Sequence, residues 1–235
     1  ESMSVPYFYE PLIATGMTQF TLSETSSKHC VQVLRMDVGE LIDITNGQGG
    51  LFHASIQVAH KKNAVVTITK SIQNERPQQK IHLGISLLKN AVRLEWLFEK
   101  ATEMGITNIT PLVCERTIHE RFKTERMQQI IQSAMIQSQQ TWLPILSEPT
   151  PYQAFLTQAA TVQKLIAHCE PLNKTSIKSI EPSEDLVLLI GPEGDFTPTE
   201  IEAAIAKDFT PIDLGPTRLR TETAGIFALS VLKNF

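Results

Sequence analysis

The sequence is short of cysteine, of aromatic residues and of long apolar runs. Its three cysteines, Cys30, Cys114 and Cys169, lie far apart and form no C-x-x-C pair. An odd number of scattered thiols argues against a disulfide framework and fits a reducing, cytoplasmic setting. No apolar stretch approaches the ~18 residues that a membrane helix needs. The opening Glu1-Ser2-Met3-Ser4-Val5-Pro6 has neither a basic nor an apolar stretch, so it does not read as a secretory signal. No cluster of His, Cys and carboxylates has metal-ligand spacing, and no metal is expected. G-x-G-x-x-G after the first strand of the larger half, G-x-x-x-x-G-K-[ST] and G-x-S-x-G are also missing. Their absence disfavours dinucleotide-binding, P-loop and α/β-hydrolase chemistry.

What is present describes a globular chain. The 235 residues are 42% hydrophobic and 20% charged, enough for a real core in one or two domains. The 11 Gly and 13 Pro show no low-complexity bias. A net charge of −4 decides nothing about nucleic acid, because a local basic face can bind a polyanion on an acidic protein.

Residues 1–73 read as mostly β. Short apolar runs at Val5–Tyr9, Leu41–Ile44, Leu51–Ile56 and Ala64–Thr69 are separated by Gly and Asn turns, which suggests a small barrel or sandwich. Ser23–Leu34 reads as one helix capped by Ser23. The polar segment 74–79 is a linker. From 80 onward strands and helices alternate, as expected for a mostly parallel sheet covered on both faces. The strands are Ile81–Leu88, Ile109–Val113, Leu165–Ala167, Leu186–Ile190 and Ile212–Leu214. The helices are Arg93–Met104, Lys123–Gln140, Tyr152–Gln158, Thr199–Ala206 with Pro198 at its first position, and Thr221–Leu232.

Two strand ends carry candidate chemistry. The apolar strand Leu186–Ile190 runs into Gly191-Pro192-Glu193-Gly194, where glycines let backbone approach a ligand. Taken by itself this pattern reads equally well as an ordinary strand-to-helix turn. Leu214-Gly215-Pro216-Thr217-Arg218-Leu219-Arg220 then leads into Thr221-Glu222-Thr223-Ala224. Thr221 is a fair N-cap and Glu222 suits the positive helix end. A polar, Arg-bearing loop between two apolar elements is better explained as a pocket wall. Cys114–Lys123 follows a further strand end, and its cations and Phe122 suit either RNA or a solvated helix start. His168, at another strand end, lines the pocket or sits in the core.

Leu189-Ile190-Gly191-Pro192-Glu193-Gly194 and, about 30 residues on, Leu214-Gly215 with Leu219-Arg220-Thr221-Glu222-Thr223-Ala224 resemble the paired motifs of the SPOUT methyltransferases. More narrowly, the chain resembles the bacterial 16S rRNA (uracil-N3)-methyltransferases. Val33-Leu34-Arg35-Met36 with Gly39, Lys89, Glu99–Gly105, Pro111, Glu115-Arg116, Gln137-Ser138 and Pro144 are similar to other blocks of that family. Three places depart from it: Asn90-Ala91, Gln139–Trp142, and Asp195 where glycine is common.

The resemblance implies an α/β protein with a PUA-like, RNA-binding β-barrel (1–73). A linker (74–79) leads to a SPOUT domain (80–235) with a C-terminal deep trefoil knot over about 186–235. It implies S-adenosylmethionine as cofactor, held by the two motifs above and by His168. It implies a homodimer in the cytoplasm acting on 16S rRNA of the small subunit, with no membrane and no metal. Arg220 would stabilise the uracil anion, with Arg116 as second choice, and Glu222 or Glu193 would take the proton. Lys28, Arg35, Lys61, Lys62, Lys89 and Arg116 would meet RNA. The competing readings are a SPOUT enzyme acting on another rRNA or tRNA nucleotide, and a catalytically silent RNA-binding or assembly factor.

Overall fold

The computed structural model describes residues 4–160 and 163–234, so residues 1–3, 161–162 and 235 of the expected domains lie outside the described residues. The chain divides into two compact units. One is Glu1–Arg76 with Met135–Leu143; the other is Pro77–Ala134 with Pro144–Phe235.

The first unit contains β1 (Tyr7–Tyr9), β2 (Gln19–Thr21), α1 (Glu24–Lys28), β3 (Leu41–Thr45), β4 (Gly50–Val58) and β5 (Val65–Gln73). They form a five-stranded sheet in the order β1-β3-β4-β5-β2. Alternation decides which side chains enter the core. Phe52, Ala54 and Ile56 of β4 are buried with Ile42 and Ile44 of β3 and Val66 of β5. The short β2 escapes sequence reading because it has one apolar residue, Phe20, and exists through its pairing with β5. Ser23 caps α1 as expected, its hydroxyl accepting from the Ser26 amide at 3.3 Å. The helix then widens at His29–Val33 rather than continuing unchanged to Leu34.

The segment Met135–Leu143 packs on the turn between β3 and β4. The Gly49 amide donates to the Thr141 carbonyl at 2.8 Å, and the Leu143 amide to the Gly47 carbonyl at 2.9 Å. Gly49 sits at φ +88, and a Cβ there would lie 2.5 Å from the Trp142 ring. Trp142 donates its indole N–H to the Glu75 carbonyl at 2.9 Å, and Arg76 stacks 4.5 Å above its ring. Gln139 adopts φ +54, in the left-handed region that favours glycine. The expected helix Lys123–Gln140 therefore stops earlier.

The second unit opens with β6 (Lys80–Ser86), α2 (Ala91–Glu103), β7 (Asn108–Val113), α3 (Thr124–Gln137), β8 (Ile145–Leu146) and β9 (Thr150–Pro151). It continues with α4 (Tyr152–Gln158), β10 (Gln163–Ala167), β11 (Thr175–Ser176), β12 (Asp185–Ile190), α5 (Pro198–Ile205), β13 (Thr210–Asp213) and α6 (Thr221–Leu232). The sheet is parallel, in the order β11-β13-β10-β12-β6-β7-β8, with β9 also paired to β7. β12 lies between β10 and β6, and Leu186–Ile190 are all buried, as a strand covered on both faces requires. Asn90, one of the departures, is the N-cap of α2, its side chain accepting from the Val92 amide at 3.0 Å. Thr197 and Glu200 form a capping box ahead of Pro198. Gly225 lets α6 sit against α2, since a Cβ there would come within 2.9 Å of Leu97.

His82 of β6 lies 2.7 Å from the Thr110 hydroxyl and edge-on to Phe155. Burial pushes its imidazole down to about 4, against a smaller opposing effect of Asp185. The unfolded chain therefore gains this proton as pH falls below 6.5, while the folded chain resists until about 4. Stability is full above pH 6.5 and should fall by roughly 3 kcal/mol on the way to pH 4. Denaturation at pH 7 and pH 4 measures this, and His82→Leu should lack that share of the loss.

Candidate functional site

Parallel sheets bind ligands beyond the carboxyl ends of their strands. The neighbours β13, β10 and β12 end side by side, and the segments that follow them line one cavity of about 600 Å³. After β10 come His168 and Cys169. After β12 come Gly191, Pro192, Glu193 and Asp195. After β13 comes the loop Leu214–Arg220, which leads into Thr221 and Glu222 of α6. Arg93 of α2 and Lys174 add charge to the lining. The volume suits a nucleoside-sized ligand.

The loop after β12 is fixed from several sides. A Cβ on Gly191 would lie 3.0 Å from the Phe196 amide nitrogen, so only glycine fits without a shift. The Gly191 carbonyl accepts the Thr221 hydroxyl at 3.1 Å. Thr221 is thus not the N-cap of α6; that place falls to Arg220, whose side chain makes no cap bond. Glu193 accepts the Lys89 amide at 2.7 Å, and Arg116 donates to the Gly194 carbonyl at 2.7 Å. Of the two cations expected to meet RNA, Arg116 braces this loop with its guanidinium, whereas Lys89 does so with its main-chain amide, which leaves its ammonium out of the bond. Asp195 takes φ +68, which accounts for glycine being common there. One of its oxygens accepts the Phe196 amide and the other the Cys169 amide, both at 2.8 Å. It thereby ties the loop after β12 to the loop after β10.

The charged groups divide by partner. Glu222 lies 3.6 Å from the Arg93 guanidinium. It is therefore engaged by Arg93 rather than by Arg220. Arg220 is exposed at the cavity and has no ion-pair partner among the described residues. His168 is 6% exposed. Its Nδ1 accepts the Glu170 amide at 3.1 Å and its carbonyl accepts the Lys174 ammonium at 2.9 Å. Its Nε2 is the one buried side-chain polar atom without a partner among the described residues. Burial, then the nearby Lys174 ammonium, hold the imidazole below its ordinary value.

Most expected cofactor contacts converge here: His168, Ile190, Gly191, Pro192, Glu193, Leu214, Gly215, Leu219, Arg220, Thr221 and Ala224 line the cavity. Leu189, Gly194 and Thr223 are not in its wall. Leu189 belongs to the core because adjacent strand residues face opposite ways. Gly194 faces Arg116, and Thr223 is exposed on α6. Arg93, Cys169, Lys174 and Asp213 join the wall although the sequence reading passed over them. Arg93 sits in the first turn of a separate helix, and only the α2–α6 packing reveals it.

The RNA methyltransferase domain model matches residues 74–233, and the RNA methyltransferase PUA domain model matches residues 22–69. The chain belongs to the RNA methyltransferase family. Its first unit is accordingly PUA-like. It is similar to ribosomal RNA small subunit methyltransferase E of Synechocystis sp., 33% identical over 217 residues, spanning 89% of this chain and 71% of that one. The Neisseria gonorrhoeae protein of the same name, solved with bound S-adenosyl methionine, superposes with a TM-score of 0.87. It is 30% identical over 97% of this chain and 96% of that chain. A Legionella pneumophila methyltransferase structure with bound cofactor SAM superposes at 0.88, with 34% identity over 98% of this chain and 97% of that one.

Gly191→Ala should force the Asp195–Phe196 backbone away and cost about 1–3 kcal/mol. A thermal melt shows it as a fall of several degrees, whereas an unchanged melt would mean that the loop yields freely.

Proposed function

We propose that the chain methylates N3 of a uridine in 16S rRNA of the small ribosomal subunit, with S-adenosylmethionine as methyl donor. The observation that carries this reading is the cavity at the ends of β10, β12 and β13. It is walled by the two motif loops and by His168, whose buried Nε2 has no partner among the described residues. The lining fits the cofactor. Gly191 and Gly215 leave the backbone bare, and the 214–220 loop offers main-chain groups to a flat base. The first amides of α6 have no intrahelical acceptor.

When bound, the cofactor supplies an electrophilic methyl group. The protein must hold uracil N3 in line with it and take up the N3 proton. Arg220, exposed in the cavity wall and without an ion-pair partner among the described residues, would stabilise the charge that develops on the uracil oxygens. Glu222 or Glu193, in the same cavity wall, would take the proton. Each is anchored on one side, Glu193 by the Lys89 amide and Glu222 by Arg93.

RNA would be held by the first unit as well. The Ala64 amide donates to the Ser27 hydroxyl at 3.0 Å, setting α1 beside the turn that carries Lys61 and Lys62. Lys28, Arg35, Lys61 and Lys62 are all exposed. Such phosphate contacts add affinity that salt removes.

The same reading takes residues from about 186 onward as a deep trefoil knot. Within that stretch the Thr221 hydroxyl ties the start of α6 to the Gly191 carbonyl at 3.1 Å. It takes the working form as a homodimer in the cytoplasm, where the small subunit is found; no helix among the described residues is long and apolar enough to cross a membrane.

Labelled S-adenosylmethionine and small subunits lacking base methylation provide the test, followed by nucleoside analysis. Label in N3-methyluridine is expected. Label in another nucleoside would redirect the substrate assignment, and cofactor binding without transfer to small subunits would do the same. Absence of binding and transfer would favour a silent scaffold. Arg220→Ala should lower transfer at least a hundredfold with the fold intact. Lys61→Glu with Lys62→Glu should weaken RNA binding and flatten its salt dependence.

A further inference from the structure

The cavity wall has a buried part and an exposed part. His168 and Thr221 are 6% and 8% exposed, and Ile190, Gly191 and Pro192 are buried with them. The stretch Gly215–Arg218 of the same wall is exposed throughout. A Cβ on Gly215 would meet nothing within 4 Å, so the chain stands clear of its surroundings there. A pocket buries most of a small ligand that it holds. The buried part therefore suits the cofactor, and the exposed rim suits what approaches from solvent. Two cations of the wall are already engaged: Arg93 faces Glu222, and Lys174 donates to the His168 carbonyl. The guanidinium groups of Arg218 and Arg220 have neither an ion-pair nor a hydrogen-bond partner among the described residues. Leu219 between them is half-buried. That alternation is the one of an extended segment, and it sets both arginines on one side of the chain.

We propose that Arg218 holds a backbone phosphate of the RNA at the rim of the cavity, while Arg220 serves the base. The inference rests on the rRNA reading above and specifies how the target nucleotide is held. A base must leave its stack to enter a cavity of this kind, and its phosphates come to the rim with it. The guanidinium is a planar fork that matches two phosphate oxygens and stays charged at any working pH. The carboxylate of the cofactor offers the same anionic oxygens, but it belongs to the ligand of the buried part, whereas Arg218 is exposed. Arg218 is thus a substrate-positioning residue with no part in the transfer step.

Methyl transfer to small subunits lacking base methylation gives KM and kcat for the full chain, Arg218→Ala and Arg218→Lys. Arg218→Ala should raise the KM for subunits about tenfold with kcat unchanged, because the lost contact is made equally before and during transfer. Arg218→Lys keeps the charge without the fork and should recover part of the loss. The salt dependence of RNA binding should lessen by about one phosphate contact in Arg218→Ala. Calorimetric affinity for S-adenosylhomocysteine should match the parent's. So should the melting temperature, since the guanidinium bonds no protein group among the described residues. An unchanged KM, or a fall in kcat alone, would overturn the inference. A lower melting temperature would do the same by making Arg218 a brace of its loop. Weaker binding of S-adenosylhomocysteine would also overturn it, and an unaffected 5′-methylthioadenosine, which lacks the carboxylate, would then assign Arg218 to the cofactor. Failure of the parent chain to methylate small subunits would instead overturn the substrate reading beneath it.

Discussion

The hydrogen bond from the Thr221 hydroxyl to the Gly191 carbonyl joins the two ends on which the cavity depends. Gly191 terminates the most buried strand of the larger sheet, and Thr221 begins the last helix. The bond is neutral and made in a buried place, so neither group can turn back to water without cost. It fixes where α6 starts. That start places Glu222 within reach of Arg93 and leaves Arg220 at the mouth. Thr221 performs this task only because it is not the cap. A capping hydroxyl would turn back to its own helix and leave the Gly191 carbonyl unmet.

The same economy governs the charges. The wall contains Arg93, Lys174, Arg218 and Arg220 beside Glu193, Asp195, Asp213 and Glu222. Most are spent on geometry. Arg93 holds Glu222, Lys174 holds the His168 carbonyl, and Asp195 and Glu193 accept main-chain amides. Asp213 accepts the Gly215 amide at 3.1 Å. A flexible Gly-rich site would lose ordering entropy each time it closed on a ligand. Here carboxylates and cations have already fixed the loops, which leaves Arg220 free for an incoming anion.

Much of the larger unit was legible because its signals are local. The helices Tyr152–Gln158 and Thr221–Leu232 have the bounds that their apolar spacing suggests. The fully apolar Leu186–Ile190 could only be a strand buried on both faces. The loop after β13 was legible as a pocket wall from its residues, whereas the loop after β12 read by itself equally well as an ordinary turn. Illegible features depend on partners distant in sequence. β2 exists through β5, Trp142 through Arg76 and Gly49, and Arg93 through Glu222. Arg116 shows a different limit. Sequence reveals a cation but not its neighbour, and a cation that braces a loop looks like one that meets phosphate.

Two of the departures from the family pattern fall where the backbone is left-handed. Gln139 and Asp195 both adopt a left-handed backbone, in which glycine would be unstrained. Asp is among the residues that tolerate this conformation, because its short side chain can bond nearby amides. Asp195 does so twice, and the second bond crosses to Cys169, beside His168. A glycine would give the same turn with no such link. The substitution therefore exchanges a freer backbone for a carboxylate that couples the loop after β12 to the loop after β10. In this chain the position of the buried imidazole is set partly from the neighbouring strand, so the family's two motif loops and the His168 wall act as one surface toward whatever enters the cavity.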